Sequence, residues 1–129
     1  MARILIVEDN ADNLKLFRAL LNLRGHEVTA LPSGDGLLDT LARTRPELVL
    51  MDIQLPGKDG YELLAEIRGS QWSRLPVVAL SAHAMAGDEE RARAAGFDGY
   101  ITKPIEITAF PGQVDRALSL RPAAAQESR

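Results

Sequence analysis

Three carboxylates, one hydroxyl and one ammonium group each stand just after a short apolar run. Glu8 and Asp9 follow Ile4-Leu5-Ile6-Val7, and Asp52 follows Leu48-Val49-Leu50-Met51. Ser81 follows the run 76–80, and Lys103 follows Gly99–Thr102. If these runs are parallel strands of one sheet, all five groups meet at one edge. The chemistry that wants such a set is narrow. Clustered carboxylates repel one another unless a cation neutralises them. Oxygen ligands without histidine or cysteine point to Mg²⁺, which takes one or two protein carboxylates and keeps several waters. A carboxylate beside such an ion can attack a phosphoryl group and form an acyl phosphate. The ion and the lysine would then neutralise the equatorial phosphoryl oxygens, and the hydroxyl would donate to one of them.

Taken singly, each residue has a plainer reading. Asp9 or Asn10 could cap the helix that follows. Ser81 alone reads as a loop hydroxyl with a local bond, Lys103 as a surface lysine, and Tyr100 as a half-buried aromatic. Asp52 resists this, because an acid directly after Leu48–Met51 is costly there unless paired or metal-bound. The pair Lys103-Pro104 invites a cis peptide bond that would turn the chain sharply. The joint placement of the groups at four strand ends outweighs the separate readings.

The elements that must place them follow from the apolar period. Arg3–Val7, Glu47–Met51 and the run 76–80 are nearly all apolar, as strands buried on both faces should be. His26–Leu31 and Gly99–Thr102 read as two more strands. Leu14, Phe17, Leu20 and Leu21 mark a helix over about 10–24, stopped by Gly25. Ser33 is placed to cap a helix carrying Leu37, Leu38 and Leu41, which Pro46 ends. Asp59 caps a helix through Leu63, Leu64 and Ile67 that stops at Gly69, and Asp88–Ala95 is a polar helix closed by Gly96. Strand and helix alternate five times, which is an α/β fold with a parallel sheet and right-handed crossovers. Such sheets carry function at the carboxyl ends of their strands.

Composition bounds the rest. The 129 residues carry 15 basic and 18 acidic side chains, a net charge of −3, and no cysteine. That is one domain's length. Disulfides, thiolate catalysis and cysteine-based zinc sites are excluded. The balance gives no electrostatic footprint for nucleic acid or anionic membranes. No apolar run approaches the ~20 residues of a membrane helix, and the N-terminus does not read as a signal peptide. The cytoplasm is the expected location. After Pro122 the tail 122–129 has no pattern that would order it.

The motifs together resemble the response-regulator receiver domains of two-component signalling. The likeness runs from Arg3 to about Leu120. It rests on Ile4–Asn10, on Leu50–Gly60, on Ala79-Leu80-Ser81-Ala82 and on Ala94–Pro104. Further likeness to stand-alone members of the family is carried by Asn13, Lys15-Leu16-Phe17, Ala84-Met85 and Gly87–Arg91. The resemblance implies a flavodoxin-like receiver fold over 1–121, with strand order 2-1-3-4-5 and helices on both faces. It implies that Asp52 accepts a phosphoryl group from a phosphohistidine. Glu8, Asp9, Asp52 and the backbone carbonyl of Gln54 would hold Mg²⁺. Lys103 would pair with the phosphoryl oxygens, Ser81 would move in to bond them, and Tyr100 would swing inward behind it. That movement would change the surface made by the fourth helix, fifth strand and fifth helix. Gln54 and His83 lie where relatives tune the lifetime of the phosphorylated state, though His83 also reads as a plain surface residue. The implied partners are a sensor histidine kinase or histidine phosphotransfer protein and a downstream protein target, with no nucleic acid and no membrane, for a monomer or weak dimer. A receiver takes about 120 residues, so no attached output domain is expected, and the protein would act by docking.

One segment departs from the family. Pro111-Gly112 falls where the first or second turn of the last helix should be. Proline is tolerated in a first turn but costs ~3 kcal/mol in a helix interior, and glycine adds up to ~1 kcal/mol. The helix is therefore expected to begin between Thr108 and Pro111 and to run to about Leu120. Two rival readings, a Mg²⁺-dependent phosphatase or phosphotransferase and a nucleotide-binding domain, fit less well. A Mg²⁺-dependent phosphatase of the type with a nucleophilic aspartate and a second aspartate two residues on would need that pattern where the chain has Glu8-Asp9-Asn10-Ala11. In a dinucleotide-binding reading Gly34-Asp35-Gly36 follows the second strand rather than the first, and Asp39 stands where the third glycine should be. A receiver that binds partners without being phosphorylated remains the third reading, against which the intact acid set argues.

Overall fold

The structure of the protein, a computed structural model, describes residues 2–82 and 85–119. Five strands form one parallel sheet, β1 (Arg3–Val7), β2 (Glu27–Leu31), β3 (Leu48–Asp52), β4 (Val77–Ser81) and β5 (Gly99–Thr102). Their order is β2-β1-β3-β4-β5. The helices between and after them are α1 (Ala11–Leu23), α2 (Leu37–Thr44), α3 (Gly60–Arg68), α4 (Asp88–Ala95) and α5 (Phe110–Leu118). The expected tail at 122–129, like His83, lies outside the described residues.

Why the strands read as unbroken apolar runs is visible in the core, which has two halves. Leu5, Val7, Val49, Met51, Val77 and Ala79 face one side, packed on Leu37 and Leu41 of α2, Leu63, Leu64 and Ile67 of α3, and Ala92 of α4. Ile4, Ile6, Leu48, Leu50, Val78 and Leu80 face the other, against Phe17 and Leu21 of α1 and Phe110, Val114 and Ala117 of α5. Successive residues alternate between the faces because the strand period is two, and helices cover both. The edge strand β2 is only half-buried along its length, which is why its pattern is mixed. Each side chain fully buried in this way stabilises the fold by about 1.5–3 kcal/mol.

The helix starts show which local signals carried through. Asn10 caps α1, its Oδ1 accepting from the Asn13 N–H at 2.9 Å. Asp59 and Glu62 close a reciprocal capping box on α3. Ser33, expected to cap α2, does not. Its hydroxyl accepts from the Asp35 N–H at 3.2 Å, and the cap position falls to Gly36, in the left-handed region at φ 73°. Ser33 is thus satisfied by its own turn, and the chain needs three more residues to reach the helix. The last helix begins at Phe110, inside the expected window, with Pro111 in its first turn and the turn 107–109 before it. Proline there loses no helical hydrogen bond. The helix ends at Leu118 with Ser119 as its C-cap, about two residues short of the expected end near Leu120.

Two polar clusters tie distant elements together. The Arg68 guanidinium donates to the carbonyls of Ser73, Leu75 and Gly96 and to Asp98 Oδ2, at 2.6–3.2 Å, which pins the end of α3 to the approaches of β4 and β5. On the other face His26 is buried, and its Nδ1 accepts the Ala2 N–H at 3.0 Å. Its Nε2 lies 3.9 Å from Asp115 Oδ1, and Asp115 also takes a 2.6 Å bond from Arg24. Burial, then the positive amino terminus, hold the imidazole below its ordinary value of 6.5, against the pull of Asp115. The unfolded chain therefore binds the proton more readily than the folded one. His26 withholds no stability above pH 6.5, and stability declines as pH falls below 6.5 toward the lower folded-state value. Urea unfolding of His26→Gln is expected to show a flatter pH dependence in that window than the native chain. An identical slope would assign it to other groups.

Candidate functional site

The carboxyl edge of the sheet gathers the five groups. Glu8 leaves the end of β1 with its side chain fully buried, and Asp52 closes β3 at 2% exposure. Lys103 reaches back from the end of β5, its Nζ 2.9 Å from Asp52 Oδ2 and 3.1 Å from Glu8 Oε1. The Lys103–Pro104 peptide bond is cis. The Lys103 N–H donates to the Ser81 carbonyl at 2.7 Å, so β5 and β4 stay paired up to the site. The remaining carboxylate oxygens take main-chain donors: Glu8 Oε2 accepts the Asn10 N–H at 3.1 Å, and Asp52 Oδ1 accepts the Gln54 N–H at 2.9 Å. Asp9 is exposed beside them, at the mouth of the site.

Electrostatics define what the cluster lacks. Three carboxylates and one ammonium leave two negative charges in a partly dry site. Burial, and then the neighbouring Asp52 charge, push the Glu8 carboxyl up, while the Asn10 N–H and Lys103 pull it down. For Lys103 burial alone would lower the ammonium, but its bonds to Asp52 and Glu8 outweigh this and the net shift is upward. Lys103 stays charged, and a divalent cation would balance the rest. Oxygens of Glu8, Asp9 and Asp52 lie within 4.8 Å of one another, close enough to share one ion. The all-oxygen set, with no nitrogen or sulfur ligand, suits Mg²⁺. Added Mg²⁺ is expected to raise the melting temperature, by the equivalent of about 2.7 kcal/mol at a hundred times its dissociation constant. Asp9→Asn is expected to weaken Mg²⁺ binding at least about tenfold, read by titration calorimetry. An Asp9→Asn protein that binds Mg²⁺ as tightly as the native chain would remove Asp9 from the ligand set.

Other parts of the frame are backbone effects. Gly60, the first residue of α3, packs directly against the end of β3: a Cβ there would sit 2.7 Å from the Asp52 carbonyl oxygen and 2.8 Å from Ile53 Cα. Only glycine lets α3 begin that close. Ser81 is buried at the end of β4, beside the strand that carries Asp52. Its Oγ accepts from Gln54 Nε2 at 3.2 Å, and Gln54 Oε1 accepts from the Ala82 N–H at 3.3 Å. Tyr100 lies on β5 opposite Ala79, half-buried against the α2–α3–α4 half of the core. The double engagement of the Gln54 side chain is invisible to motif reading, which marked its carbonyl and its position only. The Ala82 N–H carries no side-chain signal at all.

Comparison with known proteins places this geometry. The family model for the response regulator receiver domain matches residues 4–115. The polar-differentiation response regulator DivK of Brucella ovis is 44% identical over 108 residues, which is 83% of this chain and 88% of that protein. A putative response regulator from Chloroflexus aurantiacus superposes with a TM-score of 0.85 at 28% identity, over 92% of this chain and 98% of the other. The receiver domain of a sensor histidine kinase from Pseudomonas aeruginosa, with a magnesium ion coordinated in its active-site cleft, superposes at 0.82 with 34% identity, over 92% and 98%.

Proposed function

The chain belongs to the response regulator receiver domain family, and from that premise we propose that it is a single-domain response regulator of a phosphorelay. The observation that carries this is the buried pair of carboxylates, Glu8 and Asp52, bridged by one ammonium, with Asp9 at the open side. Residues 1–121 form the receiver unit. The phosphoryl group comes from a phosphohistidine of a sensor kinase or histidine phosphotransfer protein. An Asp52 carboxylate oxygen attacks phosphorus, the P–N bond breaks as the P–O bond forms, and imidazole leaves with the nitrogen lone pair. The product is an acyl phosphate on Asp52.

Each neighbour has a part in that step. Glu8, Asp9, Asp52 and the Gln54 carbonyl would hold Mg²⁺, which when bound would neutralise charge on the transferring group. Lys103 gives up part of its contact with Asp52 and pairs with a phosphoryl oxygen. Ser81 donates its hydroxyl to another. Tyr100 follows inward, and the face made by α4, β5 and α5 changes shape for a downstream protein. Gln54 sits where relatives tune how long the phosphorylated state lasts; His83, at the other such position, reads as a plain surface residue. The late start of α5 belongs to that same face, so its docking surface is shaped by Pro111. The protein is a binding module of the cytoplasm, as a monomer or weak dimer, and not a turnover enzyme.

Incubation with a small acyl phosphate and Mg²⁺ tests the reading. The expected result is one hydroxylamine-labile phosphoryl group per chain, and no labelling when Mg²⁺ is chelated beforehand. Steady hydrolysis of phosphomonoesters over many cycles per chain would instead establish an enzyme and overturn it.

A further inference from the structure

We propose that Asp35 is a modification site, where the side-chain carboxyl closes on the Gly36 main-chain nitrogen and the link passes from aspartate to isoaspartate. Ring closure of this kind is fastest where glycine follows aspartate, because no side chain blocks the approach. The chain holds three such pairs, Asp35-Gly36, Asp59-Gly60 and Asp98-Gly99. Two are tied down. Asp59 Oδ1 accepts the Glu62 N–H at 3.0 Å as the cap of α3, and the Gly60 N–H donates to the Ile53 carbonyl at 3.0 Å. Asp98 Oδ2 accepts from Arg68 and from the Val77 N–H, each at 2.9 Å, and Gly99 begins β5. Asp35-Gly36 is exposed in the turn before α2. Among the described residues no hydrogen bond holds the Asp35 carboxylate or the Gly36 N–H.

The step needs no reagent but water. The Gly36 nitrogen attacks Asp35 Cγ, the new C–N bond forms as the bond to the carboxyl's hydroxyl oxygen breaks, and water leaves with the proton of the nitrogen. The product is a five-membered succinimide. A water molecule then opens the ring. Attack at Cγ restores aspartate, and attack at the main-chain carbonyl leaves the chain running through Cγ with a free α-carboxylate. Asp35 and Gly36 line an open cleft of about 530 Å³ together with Pro56 and Gly57, so water reaches the ring. Isoaspartate places one extra carbon in the main chain, inside the turn that the Leu37 N–H closes on the Gly34 carbonyl at 3.1 Å. The modification therefore loosens the entry to α2, which has no side-chain cap to hold it.

Prolonged warm incubation of the full chain at neutral pH, followed by trypsin, tests the site. The three pairs fall in separate tryptic peptides, 25–43, 59–68 and 94–116. Isoaspartate in each is read by methyl transfer from S-adenosylmethionine with an isoaspartyl methyltransferase. In the folded chain it is expected to accumulate in 25–43 at least about tenfold faster than in either other peptide, because those pairs must open locally before they react. In the urea-unfolded chain all three are expected to react at comparable rates. Asp35→Glu, an exposed change that leaves the fold intact, is expected to abolish the signal in 25–43 alone. Equal rates at the three pairs in the folded chain would overturn the assignment to Asp35. So would a folded chain that forms no isoaspartate in 25–43 under conditions where the unfolded chain does.

Discussion

Asp52→Asn is expected to take no phosphoryl group from a small acyl phosphate. Labelling should fall to background, a loss of more than about 10²-fold, as for the removal of a covalent nucleophile. The amide has nearly the shape of the carboxylate but cannot form the acyl phosphate. The fold should survive. Asp52 lies in a site with two uncompensated negative charges, and Lys103 keeps its 3.1 Å bond to Glu8. Removing one charge relieves repulsion with Glu8, so the Asp52→Asn protein without Mg²⁺ should melt no lower than the native chain, and it should gain less from added Mg²⁺. Asp9→Asn separates the proposed roles: if Asp9 is a ligand and not the nucleophile, the variant should label more slowly but reach the same final level of one per chain. Equal labelling of native and Asp52→Asn proteins would end the acceptor assignment.

Phe110→Ala is expected to be the most damaging substitution for stability, about 3–5 kcal/mol. For a domain of this size that lowers the melting temperature by roughly 10–20 °C. Phe110 is fully buried, and its ring stacks on Phe17 of α1 with centroids 5.4 Å apart and planes at 22°. It is also the first residue of α5. The Phe17–Phe110 pair thus fixes where the shortened helix docks, and it adds about 0.5–1.5 kcal/mol beyond its burial. Ile107, 57% exposed in the preceding turn, is the control. Ile107→Ala should cost no more than about 0.5 kcal/mol. Similar losses at the two positions would mean that α5 is not anchored at Phe110.

What the sequence determined about this protein is the part that local rules and chemistry fix together. Strands buried on both faces must be apolar along their whole length, so Ile4–Val7 and Leu48–Met51 were legible as they stand. The acids that end such runs are conspicuous because burying them is expensive. Pro111 dictated a late helix because its ring removes a donor and blocks the preceding turn. The polar signals failed where a side chain had more than one partner within reach. Ser33 is a good cap in isolation, yet its own turn took the hydroxyl and left Gly36 to start α2. Arg68, His26 and Asp115 lie in no motif, and Asp98, within Ala94–Pro104, had no role assigned to it. Apart from Arg68's bonds to the nearby Ser73 and Leu75 carbonyls, their side-chain bonds join residues 21–91 apart along the chain. Only the tertiary structure decided that Gln54 reaches Ser81 and Ala82, 27 and 28 residues away. The physical reason is one of range. Apolar period, capping and proline act within a few residues and are written into the chain. A hydrogen bond needs two atoms about 3 Å apart, and which distant atoms come that close is set only when the sheet has formed.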